Sequence, residues 1–245
     1  MARYKVNITY DGTAFCGIQR QRDNRTVQAE IESALQQIGW QGDSILYAGR
    51  TDSGVHASGQ VIAFDLDWRH GTLELLQALN ANMPADIAAW KLEEASADFH
   101  PRYHALARRY SYQIFCQPLR DPLRERFAWR VWPGLDLDKL QQAALLLEGE
   151  HDFAAYGTPF KRGGPTVRRV DQAEWQQLED AYTFCITANA FLYHMVRRLV
   201  NIQVEIGQGR HSPSIISEYL DGSPAEMVQG LAPPHGLQLS KVYYE

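Results

Sequence analysis

The sequence is poor in cysteine. Cys16, Cys116 and Cys185 are the three present in 245 residues. They are far apart and odd in number, so neither a disulfide framework nor a CxxC-type metal site is expected, and reduced thiols in or near a core are. No apolar run approaches the length of a membrane span. The opening ARYKVNITYDG alternates like a strand and carries no signal-type apolar region. A soluble, cytoplasmic protein with no membrane partner is the expectation. An excess of basic charge is also missing: the formal net charge is −5, which argues against a protein that coats nucleic acid indiscriminately. With 45% apolar and 22% charged residues the composition is ordinary for a globular chain, and disorder is excluded.

Local charge tells a different story. Arg20, Arg22 and Arg25 cluster early, Arg102, Arg108 and Arg109 cluster mid-chain, and Lys161, Arg162, Arg168 and Arg169 share a segment without an acidic residue. Any one cluster is explained by solvated surface. Several acid-poor patches on an acidic chain favour a localised anionic ligand.

Residues 3–10 alternate as a strand, and Val27, Ile31, Ala34, Leu35 and Ile38 fall at helical spacing behind Thr26 as N-cap. Strands are expected near 44–48 and 60–65, then a helix carrying Leu73, Leu76 and Leu79, then a strand at 87–92. That order is βαββαβ. The remainder nearly repeats it, with a strand at 107–116, a helix at 137–147, a hairpin at 169–178 and 182–188, helices at 192–206 and 214–220, and a closing strand at 237–243. The expected fold class is α+β: two ferredoxin-like or RRM-like βαββαβ halves, with antiparallel sheets flanking a central catalytic cleft. The expected domains are 1–103, carrying an aspartate loop, and 104–245, carrying a tyrosine strand and an arginine helix. Pro101 and the polar residues of ADFHPRYHA mark the boundary.

The chemistry-bearing stretch is GRTDSGVHASGQVIAFD. Asp52 lies on a strand connection, where side chains can be aimed at a ligand, and Gly49, Gly54 and Gly59 bracket it. An Asx turn would use Asp52 only to cap neighbouring amides, but Arg50 beside it points to anion handling. Asp52 and His56 are four apart, yet Ser53, Gly54 and Val55 oppose the helix that a metal pair at this spacing needs. His56 reads as a hydrogen-bonding loop residue. In NAFLYHMVRRLVNIQVEIG, Leu192, Met195, Val196, Leu199, Gln203 and Ile206 share one face, Arg197 lies at its edge, and Arg198 points away with His194 and Asn201. Arg197 either snorkels to water or pairs with a carboxylate, for which Asp52 is the candidate. Tyr110 and Tyr112 share one face of the strand RRYSYQIF, as core packing or as a stacking platform for an unstacked base.

YDGTAFCGIQRQ, TVQAEIESAL, GRTDSGVHASGQVIAFD, FHPRYHALARRYSYQI, NAFLYHMVRRLV and APPHGLQLSKVYY together resemble the TruA-type tRNA pseudouridine synthases, in that family's order and over nearly the whole chain. The resemblance implies isomerisation of uridine to pseudouridine in the tRNA anticodon stem-loop, at tRNA positions 38, 39 and 40, by an enzyme that is a homodimer and needs no cofactor and no metal. It implies that Asp52 is the catalytic nucleophile, that Tyr110 packs against the flipped uracil and assists loss of its C5 proton, and that Arg197 forms an ion pair with Asp52. Leu237 matches the apolar residue of the pocket, and Arg50 matches the position that helps extrude the nucleotide. Thr51, His56, Arg168 and Arg169 join them as substrate-binding residues. Whether Asp52 attacks uracil C6 or ribose C1′ stays open. Ile18, Ser53 and Asn201 depart from the family's usual tryptophan, alanine and glycine; Ile18 is expected to alter a contact near the RNA, and Asn201 helix packing. The rival reading is a non-catalytic RNA-binding module or RNA chaperone, for which no RNP-type aromatic signature is present. A third, a metal-dependent hydrolase using Asp52 and His56, predicts sensitivity to a chelator.

Overall fold

The computed structural model describes residues 1–221 and 227–244. In chain order the elements are β1 (Ala2–Tyr10), α1 (Val27–Gln37), β2 (Leu46–Tyr47), β3 (His56–Leu66), α2 (Thr72–Asn82) and β4 (Ile87–Ala95). They are followed by β5 (Ala107–Cys116), β6 (Trp129–Val131), α3 (Leu137–Leu145), β7 (Gly149–Asp152), β8 (Val167–Leu178), β9 (Ala181–Ala188), α4 (Met195–Gly207), α5 (Ile215–Asp221) and β10 (Leu237–Tyr243). The mixed α+β class and the βαββαβ order of β1 to β4 are as the sequence leads one to expect. The chain forms two compact units, Met1–Leu106 together with the terminal strand from Gln238, and Ala107–Leu237.

In the first unit the strands are ordered β4, β1, β3, β10. β1 runs antiparallel to both β3 and β4. β10 lies parallel to the start of β3, through Gln238 opposite His56 and Leu239 opposite Ala57. β2 lies antiparallel farther along the same strand, through Leu46 opposite Ala63 and Tyr47 opposite Ile62. β3 is longer than its apolar run suggests, beginning at His56 instead of Gln60. The closing strand of the second repeat thus joins the sheet of the first unit. Its distance in sequence permits the parallel pairing, which a tight hairpin forbids.

α1 buries Val27, Ile31, Ala34 and Leu35, and Thr26 Oγ1 accepts from the Ala29 amide to cap it. α2 buries Leu75 and Leu79, while Leu73 is 62% exposed. Three-residue steps drift about 60° each around a helix of 3.6 residues per turn. Leu73 therefore falls off the stripe that Leu75 and Leu79 define.

In the second unit β5 and β8 both pair antiparallel with β9, β7 pairs antiparallel with β8, and β6 pairs parallel with β5. β6 and β7 are short strands that no periodicity announces. α4 buries Met195, Val196, Leu199, Val200, Ile202, Gln203, Val204 and Ile206. It begins at Met195, three residues later than its apolar pattern suggests. Tyr193 exchanges backbone hydrogen bonds with Thr158, and His194 sits in the left-handed region with φ 65°. A residue held in a bridge cannot also begin a helix.

Candidate active site

Asp52 lies on the irregular connection from Tyr47 to His56, between β2 and β3, and is half-buried. Its backbone carbonyl accepts from Val55 N at 3.1 Å. The segment preceding α1 grips this loop. Phe15 O accepts from Gly54 N and from Ser53 Oγ, each at 3.2 Å, and Thr51 O accepts from Ile18 N at 3.3 Å. Gly17 makes that approach possible: its φ is +82°, and a Cβ there would stand 2.6 Å from Thr51 O. Ile18 is fully buried, so this departure from the family pattern is a packing residue of the first unit and not an exposed contact.

Thr51 is buried, and its hydroxyl lies 2.7 Å from the Tyr10 hydroxyl. Burial pushes the Tyr10 phenol up to about 12, against hydrogen bonds to Thr51 and Gln60 that pull it down. Gln60, fully buried on β3, donates from Nε2 to Gly49 O at 2.8 Å and accepts from Gly49 N at 3.2 Å. Arg50, between those two held residues, is exposed. His56 is the first residue of β3 and buried. Its Nδ1 accepts from Gly12 N at 2.9 Å, with Asp11 Oδ1 3.2 Å away. The Gly12 bond needs the Nδ1 lone pair, which places the ring proton on Nε2 and makes the Asp11 contact one with a neutral imidazole. The same bond occupies a nitrogen that a metal would need.

In the second unit Tyr110 sits on β5 opposite Ile186 of β9 and is 8% exposed. Phe191 meets its ring edge-on, with centroids 4.9 Å apart. Tyr112, two residues on, donates to Pro233 O at 2.7 Å, and burial raises its phenol well above the ordinary range, opposed by the nearby Arg197. Arg197 belongs to the first turn of α4; its Nε donates to Ala232 O at 2.7 Å, and its backbone carbonyl accepts from Ala232 N. These bonds tie helix α4 to the segment that leads into Leu237, itself buried at the start of β10. Arg198 does not point away to solvent as its helical position suggests. It is half-buried and donates to Tyr156 O at 3.4 Å; burial lowers its guanidinium, and Arg197 lowers it further. No acidic residue stands in this first turn, so two cations occupy the positive end of the helix dipole, an arrangement that favours an anion nearby.

Arg168 and Arg169 lie on β8 opposite His151 and Glu150 of β7. Arg168 Nη1 donates to Val167 O, its Nε is buried without a hydrogen-bond partner among the described residues, and burial lowers its guanidinium. Arg169 is exposed and bonded to Asp171 at 2.8 Å. Of the early cluster, Arg20 is engaged by Glu32, and Arg25 by Glu30 and Asp86. Those two cations are neutralised within the unit, which weakens their reading as an anion patch. Asn201 is accommodated because it packs on Gly230, where a Cβ would stand 2.3 Å from its Nδ2.

The structure thus gathers Arg50, Thr51, Asp52 and His56 on or beside one loop of the first unit, and places Tyr110, Arg168, Arg169, Arg197 and Leu237 in the second. Sequence reasoning passed over Tyr10, Gln60 and Phe191. Tyr10 stands in the quoted YDG stretch and Phe191 in NAFLYH, but nothing in their spacing shows what they touch.

A profile described as tRNA pseudouridine synthase matches residues 7–104 and 143–245. The chain is 38% identical over 245 residues to a tRNA pseudouridine synthase A of Geobacter sp. (strain M21), covering 100% of this chain and 99% of the relative. It is 41% identical over 250 residues to the protein of that name from Listeria innocua serovar 6a, covering all of both chains. A solved archaeal box H/ACA sRNP Nop10–Cbf5 complex overlaps 82% of this chain and 44% of that chain at 10% identity, with a TM-score of 0.38, too loose a likeness to add to the sequence match. With the profile spanning most of its length and these relatives matching it end to end, the chain belongs to the tRNA pseudouridine synthase family.

Proposed function

We propose that this enzyme isomerises uridine to pseudouridine in the anticodon stem-loop of tRNA, with Asp52 as the nucleophile. The observation that carries this is the placement of the Gly-Arg-Thr-Asp block: Asp52 stands half-buried on an irregular loop whose backbone is gripped by Phe15, Gly17 and Ile18. A carboxylate held this way is a preorganised nucleophile. In the reaction the bond from ribose C1′ to uracil N1 breaks, the base turns, and C1′ joins C5. The C5 proton leaves and N1 gains one, so no electrons are exchanged and no second substrate is consumed.

Tyr110 is the residue that packs against the flipped uracil and assists loss of the C5 proton, and Phe191 against its ring edge supports that orientation. Arg197 is the counter-charge that keeps Asp52 ionised; its Nε bond to Ala232 O and the acid-free first turn of α4 support that role. Leu237 supplies apolar pocket wall, and Arg50 helps extrude the nucleotide. Flipping costs a few kcal/mol in unstacking, offset by aromatic stacking and by phosphate contacts for which Arg168 and Arg169 are candidates. Thr51 and His56 act at the same loop. The enzyme works in the cytoplasm, where its substrate is; no helix among the described residues is long and apolar enough to cross a membrane. It acts as a homodimer. Leu119, Leu123 and Trp132, all more than half exposed, supply apolar surface that a second copy would cover.

The test is release of tritium from C5-labelled uridine in unmodified tRNA, comparing the protein with Asp52→Asn. Release by the former alone, with tRNA binding retained by the variant, is the expected result. Release by both would remove Asp52 from the chemistry. Release by neither, with binding intact, would favour an RNA-binding module.

A further inference from the structure

Residues 49–52 alternate in what surrounds them. Gly49 is held through both its amide and its carbonyl by the Gln60 side chain, and Thr51 is held through its hydroxyl by Tyr10. Arg50 is exposed and Asp52 half-buried. The two holding residues belong to the sheet: Tyr10 ends β1, Gln60 lies within β3, and both are almost inaccessible, at 3% and 0% exposure. They meet at a bulge, where Ile8 pairs with Gln60 but Tyr10 pairs with Ala57, so one extra β3 residue is absorbed between the two pairs. Such bulges re-aim side chains and are frequent beside active sites. An amide and a phenol in this position would each be costly to bury without partners. Each has a partner, and in both cases it is a loop residue bordering Arg50.

We infer that Tyr10 and Gln60 are positioning residues: a buried clamp on Gly49 and Thr51 that presents Arg50 and Asp52 to the substrate. This rests on Asp52 being the nucleophile. The clamp acts through geometry. The loop has no ladder hydrogen bonds of its own between Gly49 and Asp52, and Tyr10 remains a neutral hydroxyl throughout the physiological range. A displacement of the carboxylate by about 1 Å is enough to slow a positioned reaction by one to two orders of magnitude.

The test uses Tyr10→Phe, Thr51→Val and the double variant, with the single-turnover rate at saturating enzyme, the tRNA dissociation constant and the melting temperature measured for each. The rate should fall about tenfold in either single variant, at a tRNA affinity unchanged within about twofold, since only the chemical step needs the carboxylate in place. The double variant should be no slower than the slower single one, because both remove the same bond. Unchanged rates, a loss confined to tRNA affinity, or losses that multiply in the double variant would each overturn the clamp. So would loss of the folded state in both single variants, which would make the bond purely structural. Asp52→Asn run in parallel separates the two ideas: a full rate in that variant removes the nucleophile, whereas its loss beside unaffected Tyr10→Phe and Thr51→Val removes only the clamp.

Discussion

Glu32 and Asp52 show how differently two carboxylates of one unit are used. Glu32, on α1, has a side chain 4% exposed. One oxygen accepts from Gln28 Nε2 at 2.8 Å and from Ile45 N at 3.1 Å, and the other from Arg20 at 2.7 Å. It ties the segment before α1 to the approach to β2, on either side of the elements that frame the aspartate loop. Glu32→Ala would leave an amide, a backbone N–H and a guanidinium without their acceptor. A loss of about 3 kcal/mol in stability is expected, read from urea unfolding; an unchanged midpoint would show that water replaces the carboxylate. In the sequence Glu32 is only a polar position on an amphipathic helix. Arg20 and Ile45 are too far along the chain for any spacing rule to connect them with it. Asp52, by contrast, is conspicuous at once, because Arg50 and the bracketing glycines have no purpose in an ordinary turn.

At the scale of elements, α4 was legible as a helix and as the carrier of Arg197. What periodicity could not convey is that Gln203, at a core position, is fully buried and accepts from Trp175 Nε1 at 2.8 Å while donating to Leu199 O. The indole N–H of β8 and the amide of α4 satisfy each other, so helix and sheet share one fixed register. Gln203→Leu would fill the space but strand the indole donor. A cost of about 2 kcal/mol is expected in chemical denaturation, and a neutral result would mean that the tryptophan finds another acceptor. The start of α4 escaped the pattern for a related reason. The bridge between Tyr193 and Thr158 holds residues that on local grounds continue the helix. Asn201 likewise makes sense only beside Gly230, a partner on a segment after α5.

For the molecule as a whole, acidity is a source of stability within limits. Asp65 is held below the ordinary carboxylate range by its hydrogen bonds with Arg3, Glu93 by Lys91 and Lys5, and Asp180 by Arg124. A depressed folded-state value means that the stabilisation is complete above the unfolded range near about 4 and is lost as pH falls through the folded value. The melting temperature should therefore hold from pH 7 to about 5 and decline below about 4. Asp65→Asn should shrink that decline. An acid limb unaltered by this substitution would place the sensitivity in other carboxylates. The net charge of −5 says nothing about which carboxylates these are. It did exclude a general nucleic-acid coat, and the internal pairing of Arg20 and Arg25 shows that clustered cations need not mark a ligand either.

The sequence by itself determined the elements whose signals are local: the alternation of β1 and β5, the Thr26 cap, the βαββαβ order, and the motifs that place this chain in its family. Residues near one another along the chain constrain each other through backbone geometry, and periodicity records that constraint. The tertiary structure decided what depends on distant partners. It made β10 a parallel neighbour of β3, set the bulge that brings Tyr10 and Gln60 to Gly49 and Thr51, and gave Glu32 and Gln203 their buried acceptor roles. Hydrogen bonds between residues far apart in the chain leave no period in the sequence, because the chain closure that forms them is settled only when the whole sheet assembles.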